Sequence, residues 1–255
     1  MTAATLYLHG TRGLQTLNPL TKLSLSALFL VAAAALPDLR ALLLAFLLAP
    51  VPLALWSGVL RPFLRACLRL IWPFALSLAV IQGLFAPGTT VLLHLGPFAL
   101  TLEGLGMGAF FTGRLLLGLG AATLLMLTTR PDTLLLDLTR RGLPPQIAYI
   151  VVTALQIIPG FQARALSILD AQRARGLETE GSVLTRARAL LPLIGPLLLS
   201  SLMELEERAI ALEARGFNRR GRRTSWLTIA DPPAERGLRW LMLAGAAALL
   251  ALRFI

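Results

Sequence analysis

Two copies of one short pattern stand out: Ala171-x-x-Ala174-Arg175-Gly176-Leu177 and Ala211-x-x-Ala214-Arg215-Gly216-Phe217, with the arginines 40 residues apart. A glycine just past a helix end can take the left-handed conformation that terminates it. The arginine before it then rides on the last turn, and the alanines one and four residues earlier keep the neighbouring surface low. A guanidinium presented in this way can pair bidentately with a carboxylate of another protein. Taken singly, an Arg-Gly end is also no more than a C-cap whose cation suits the helix dipole. The duplication on two amphipathic segments points to docking, and two ends point to a dimeric partner.

Little else in the chain could do chemistry. Cys67 stands alone, and His9 and His94 are the only histidines. No disulfide framework, thiolate cluster or metal centre is therefore expected, and no cofactor. A P-loop needs a glycine-rich turn before its lysine, whereas the sole lysine, Lys22, follows Asn18-Pro19-Leu20-Thr21. Neither a His-Glu-x-x-His pair nor a Gly-x-Ser-x-Gly turn occurs. The expectation is a chain that is not an enzyme. Arg114 lies within an apolar stretch, which marks either a functional charge or a guanidinium bound to backbone carbonyls inside a bundle. Gly104-x-x-x-Gly108, in a glycine-rich run, permits close helix contact, within the chain or with a partner. The run Asn218-Arg219-Arg220-Gly221-Arg222-Arg223 suits topology and anionic lipid better than nucleic acid.

The elements that must hold these residues follow from composition. Of 255 residues, 56% are hydrophobic and 15% charged. A soluble domain of this size shows more charge, so lipid is the expected solvent. Apolar stretches long enough to span begin at 23–36 (extendable to Pro19) and continue at 41–57, 70–85, 105–127 and 238–252. The first is read as a retained span rather than a signal peptide. A loop carrying Arg61, Arg65 and Arg69 precedes the third, and a Gly/Pro/Thr-containing loop, 86–104, follows it. Fifteen arginines fall in 130–236, and no Lys or Arg separates Arg69 from Arg114. Five spans with a cytoplasmic N-terminus and an external C-terminus satisfy both facts. The fold class expected is all-α: a polytopic membrane bundle of about five spans with a cytoplasmic module of long amphipathic helices. Its parts are 1–129 (about four spans), 130–237 (the cytoplasmic or interfacial module) and 238–255 (the last span).

Within the module, Thr129-Arg130-Pro131-Asp132 reads as a helix start with a Thr cap, and Arg140-Arg141-Gly142-Leu143-Pro144-Pro145 as its end. Two longer segments follow. Each begins apolar enough to touch lipid, passes a proline (Pro159; Pro192 and Pro196), and turns amphipathic. Phe161, Ala165, Ile168 and Leu169 form one stripe, opposite Gln162, Arg164, Asp170 and Arg173. Leu198, Leu202, Leu205, Ala209 and Leu212 form the other, opposite Glu204, Glu206, Glu207 and Arg208. A flexible linker, 178–188, separates them. Pro73, Pro159, Pro192 and Pro196 are expected to kink or break helices, and Trp226 and Trp240 to anchor at the interface.

These features resemble the T component of energy-coupling factor (ECF) transporters over nearly the whole chain. The resemblance rests on the paired Ala-Arg-Gly ends, Leu17-Asn18-Pro19-Leu20-Thr21-Lys22-Leu23, Thr128-Thr129-Arg130-Pro131 and Arg141-Gly142-Leu143-Pro144. It implies a subunit of the prokaryotic cytoplasmic membrane that joins two cytoplasmic ABC-type ATPases to a substrate-binding membrane protein, the S component. It further implies import of vitamins or transition-metal ions, with the substrate held by the S component. By position, Ala174, Arg175, Gly176, Ala214, Arg215 and Gly216 would dock the ATPases. Phe161, Ala165, Ile168, Leu169, Leu198, Leu202, Leu205 and Ala209 would face the S component. The rival is a self-contained permease or scaffold. A permease of the secondary kind shows symmetric halves with broken helices, whereas the repeat here lies in the cytoplasmic part.

Overall fold

Asn18 caps the first helix: its side-chain oxygen accepts from Leu20 N at 2.9 Å, and Pro19 occupies the first helical position. The computed structural model describes residues 13–95, 98–177, 182–217, 219 and 229–254. The Asn218–Arg223 run (Arg219 apart), Trp226, His9 and 178–181 of the linker lie outside the described residues. A 3-10 turn at Gly13–Thr16 precedes α1 (Pro19–Ala35), α2 (Leu39–Leu48), α3 (Pro50–Trp56) and α4 (Leu60–Phe85). A hairpin of β1 (Val91–Leu95) and β2 (Phe98–Thr101) leads to α5 (Leu102–Thr128), α6 (Pro131–Arg140), α7 (Pro145–Ala174), α8 (Val183–Ala214) and α9 (Pro233–Phe254). The fold is a polytopic helical bundle. Among the described residues four stretches are long and apolar enough to cross a membrane: Leu39–Trp56, Leu60–Phe85, Leu102–Thr128 and Pro145–Ala174, with Pro19–Ala35 a shorter apolar helix.

Several boundaries differ from expectation. The stretch 41–57 is two helices, because Pro50 has no N–H to continue the first and the chain turns at Ala49 (φ −119°, ψ −70°). Arg61, Arg65 and Arg69 are not in a loop but on the first turns of α4. Residues 91–101 pair as an antiparallel hairpin, with Leu95 opposite Phe98 and His94 opposite Ala99. Thr129 closes α5 rather than capping α6, whose N-cap is Arg130. Pro73, Pro159, Pro192 and Pro196 all lie inside continuous helices. The loss of one hydrogen bond is tolerated where the rest of the ladder is satisfied within the segment.

The chain divides into two units, Pro145–Thr228 forming one. α6 therefore belongs with the bundle, not with the two long helices. Inside the bundle the broadest interface joins α4 to α5, and glycine makes it possible. A Cβ on Gly108 would meet Leu78 O at 3.0 Å, and one on Gly104 would run into the backbone oxygen of Gln82. The Gly104-x-x-x-Gly108 pair thus serves packing within the chain. Phe63, Leu42 and Leu117 are fully buried in the bundle, and Phe46 stacks on Phe63 at 5.9 Å.

Arg114 has the structural occupation. Its Nη2 donates to the carbonyls of Ala34 and Leu36 at 3.3 and 3.4 Å, at the end of α1, and its guanidinium lies 4.8 Å from the Phe110 ring. A cation from another helix thus satisfies two carbonyls that α1 leaves open.

Candidate functional site

Each Ala-Arg-Gly end closes its helix with the same pair of backbone bonds. In α7, Gly176 N donates to Arg173 O at 2.9 Å and Leu177 N to Gln172 O at 3.0 Å. In α8, Gly216 N donates to Glu213 O and Phe217 N to Leu212 O, both at 2.9 Å. Gly176 has φ +92° and Gly216 φ +68°. This is the Schellman closure, which needs a residue in the left-handed region. Ala174, Arg175, Gly176, Ala214, Arg215 and Gly216 are all exposed. Among the described residues no hydrogen bond or ion pair engages the Arg175 or Arg215 guanidinium.

A third end makes the comparison useful. α6 closes identically, with Gly142 N donating to Thr139 O, Leu143 N donating to Leu138 O, and Gly142 at φ +114°. There, however, the arginine is engaged: Arg141 Nη2 donates to Asp231 Oδ2 at 2.7 Å, and Asp137 lies 3.7 Å from its Nε. The cap alone therefore does not distinguish the paired ends. Their uncommitted guanidinium groups do.

Within their own unit α7 and α8 run antiparallel. The Tyr149 ring, near the start of α7, packs on Phe217, just past the end of α8, with centroids 5.1 Å apart. Further along, Arg164 Nη2 donates to Glu204 Oε2, and Arg208 Nη2 donates to Glu204 Oε1. The hydrogen bond from Arg164, and then that from Arg208, hold the Glu204 carboxyl below its usual range. The sequence pattern puts Arg164 and Glu204 on polar faces opposite the stripes, whereas in the structure Arg164 shares the half-buried side of α7 with its stripe. Their pairing was legible in principle, because they too are 40 residues apart. Phe161, Ala165, Ile168 and Leu169 are half-buried on the side of α7 that also carries Arg164, whereas Leu198, Leu202, Leu205 and Ala209 are exposed on α8.

A second polar cluster, in the bundle, explains the Asn18–Lys22 stretch. Glu235 Oε2 accepts from Asn18 N and Thr21 Oγ1, each at 2.8 Å. Buried Lys22 donates from Nζ to the carbonyls of Thr128 (2.9 Å) and Gln15 (3.2 Å). Asp231 accepts from Arg141, Arg236 and Arg239. Its partial burial raises its pKa, and the hydrogen bonds from Arg239 and Arg141 outweigh that and bring it below the usual value. One hub thus ties the starts of α1 and α9 to the ends of α5 and α6. Asp231 and Glu235 were not singled out from sequence, since Glu235's partners are 217 and 214 residues away and Asp231's bond to Arg141 spans 90. Among the described residues no group of three or more His, Cys, Asp or Glu side chains is gathered for a metal ion.

The helices define a polytopic membrane protein whose distinguishing feature is a pair of antiparallel helices with matched, exposed ends. The family model described as "CbiQ: Cobalt transport protein" matches residues 10–226. The chain belongs to this CbiQ/EcfT family of membrane transporter components. It is 36% identical over 211 residues to the energy-coupling factor transporter transmembrane protein EcfT of Heliobacterium modesticaldum, covering 79% of this chain and 78% of that one. It is 30% identical over 245 residues to the protein of that name from Thermosediminibacter oceani, covering 88% and 89%. With that of Limosilactobacillus fermentum it shares 34% over 188 residues, covering 70% and 67%.

Proposed function

We propose that this chain is the coupling subunit of an ECF-type importer for a vitamin or a transition-metal ion, linking two cytoplasmic ABC-type ATPases to a small substrate-binding S component. The observation that carries this reading is the equivalence of the two free guanidinium groups. Arg175 lies eleven residues beyond Arg164, and Arg215 eleven residues beyond Glu204. At 1.5 Å per residue each end projects about 16 Å from the same ion pair, in opposite directions. Two matched ends about a local twofold suit a partner that is itself a symmetric dimer, since each end meets the same surface. Substrate recognition and ATP hydrolysis then belong to the partners, and this chain catalyses nothing. The long helices and the N-terminus face the cytoplasm of a prokaryote, as the arginine distribution favours. The exposed α8 residues Leu198, Leu202, Leu205 and Ala209 offer open apolar surface to the S component, and the half-buried α7 stripe Phe161, Ala165, Ile168 and Leu169 adds only its exposed part.

The test is co-purification and uptake in cells that supply both ATPases and an S component. Arg175→Glu and Arg215→Glu should each weaken ATPase capture and uptake, and the double change should abolish both at normal membrane levels. Undiminished uptake by the double variant, or uptake driven by the purified chain alone, would refute the assignment.

A further inference from the structure

Between α1 and α9 the bundle carries a groove of about 420 Å³. Its floor is apolar: Leu20, Leu23 and Ala27 on α1 face Trp240 and Leu243 on α9. On α1 these positions recur at three, four and seven residues and on α9 at three, so the groove runs about 10 Å along α1. Its mouth is different in kind, lined by Arg141, Arg236 and Arg239.

The charge at that mouth is not balanced. Three guanidinium groups share the single carboxylate of Asp231, at 2.7, 3.1 and 2.7 Å. Counting Asp137, 3.7 Å from Arg141, one positive charge remains in excess. Glu235 on the same turn does not cancel it, being occupied by Asn18 and Thr21 and acting on buried Lys22. Each guanidinium has five N–H donors, and Asp231 has two oxygens. Arg236 is 63% exposed and Arg141 42% exposed, so donors on both are open to an anion.

We propose that this groove binds one anionic phospholipid, with the phosphodiester held by Arg141 and Arg236 and an acyl chain lying on Leu20, Leu23, Ala27 and Leu243. Apolar floor and cationic mouth together fit an amphiphile, and the mouth lies at the helix ends that the arginine distribution sets on the cytoplasmic side. Arginine suits a phosphodiester because its planar donors meet two oxygens at once. Basic pockets between membrane helices on that side select lipid headgroups by the same means. The site is independent of the coupling role, since it uses no residue of α7 or α8.

Native mass spectrometry of the full chain, released from detergent, tests it with phosphatidylglycerol and phosphatidylcholine of identical acyl chains. Phosphatidylglycerol should be retained over phosphatidylcholine, and each guanidinium removed should cut that preference by about fivefold. Arg236→Gln should therefore reduce the preference, and Arg65→Gln, on exposed α4 surface, should leave it intact. Ala27→Phe fills the floor from an exposed position, leaving the buried core untouched, and should remove the bound lipid without changing the charge. Equal retention of both lipids would overturn the proposal. So would binding that survives Ala27→Phe, or displacement by the tail-free headgroup glycerophosphoglycerol at the concentrations at which the lipid itself competes.

Discussion

Arg164 and Glu204 occupy the same step of an internal repeat, and they touch each other across its two copies. Arg164 Nη2 donates to Glu204 Oε2, and the free arginines of both ends follow at the same interval. A contact between equivalent positions is what a local twofold axis requires. The ion pair therefore marks the axis, and its geometry sets how far apart the two ends are held, on the order of 30 Å.

Exchanging the charges tests this directly. Arg164→Glu and Glu204→Arg should each lower uptake severalfold, and the double exchange should restore most of it. The stability change should stay within about 1 kcal/mol, as expected of a partly exposed pair. A double-mutant cycle on transport, run beside thermal unfolding, measures both. Loss of uptake without rescue would mean that the pair does not set the ends' position.

The two kinds of Arg-Gly end should separate cleanly. Arg141→Gln removes a partner of Asp231 and Asp137, the latter 3% exposed, and should destabilise the bundle by about 1–3 kcal/mol. Arg175→Gln and Arg215→Gln touch no partner among the described residues and should leave thermal stability within about 0.5 kcal/mol. Their cost should fall on ATPase capture alone. Differential thermal unfolding of the three purified variants decides it.

Glycine positions on α5 should differ as sharply. Gly108→Ala puts a Cβ 3.0 Å from the backbone oxygen of Leu78, which cannot move without shifting α4. It should cost about 1–3 kcal/mol. At Gly106 nothing lies within 4 Å of the added carbon, and Gly106→Ala should be neutral or stabilising by up to about 1 kcal/mol. Unfolding measured in one detergent for both variants makes the comparison.

Acid should loosen the helix pair. Glu204 has its pKa lowered by hydrogen bonds from Arg164 and Arg208. A carboxylate with a depressed folded value contributes stability that is fully present above its unfolded value, about 4.3, and lost as the pH falls through the folded one. Hydrogen exchange in α7 and α8 should therefore rise below about pH 4 in the wild type. Glu204→Gln, which has no proton to gain, should show the faster exchange already at neutral pH and little further change on acidification.

Much of this molecule is written in local order. Apolar runs, the prolines at helix starts (Pro19, Pro50 and Pro131) and the Arg-Gly ends fix where helices begin and end, because caps and hydropathy act over a few residues. The duplicated Ala-Arg-Gly pattern is legible for the same reason, and so is the all-α class. Other features depend on residues that are distant in sequence. That Arg141 is consumed by Asp231 while Arg175 and Arg215 are not, that Lys22 closes α5, and that Arg114 caps α1 all follow from helices meeting side by side. A polar side chain's role is set by which partner arrives within about 3 Å, and nothing in the spacing along one chain states that. The hairpin at 91–101 and the helical placement of Arg61, Arg65 and Arg69 belong to this second group. An apolar run reads alike as strand or helix, and an arginine alike as loop or helix, until the packing around it is complete.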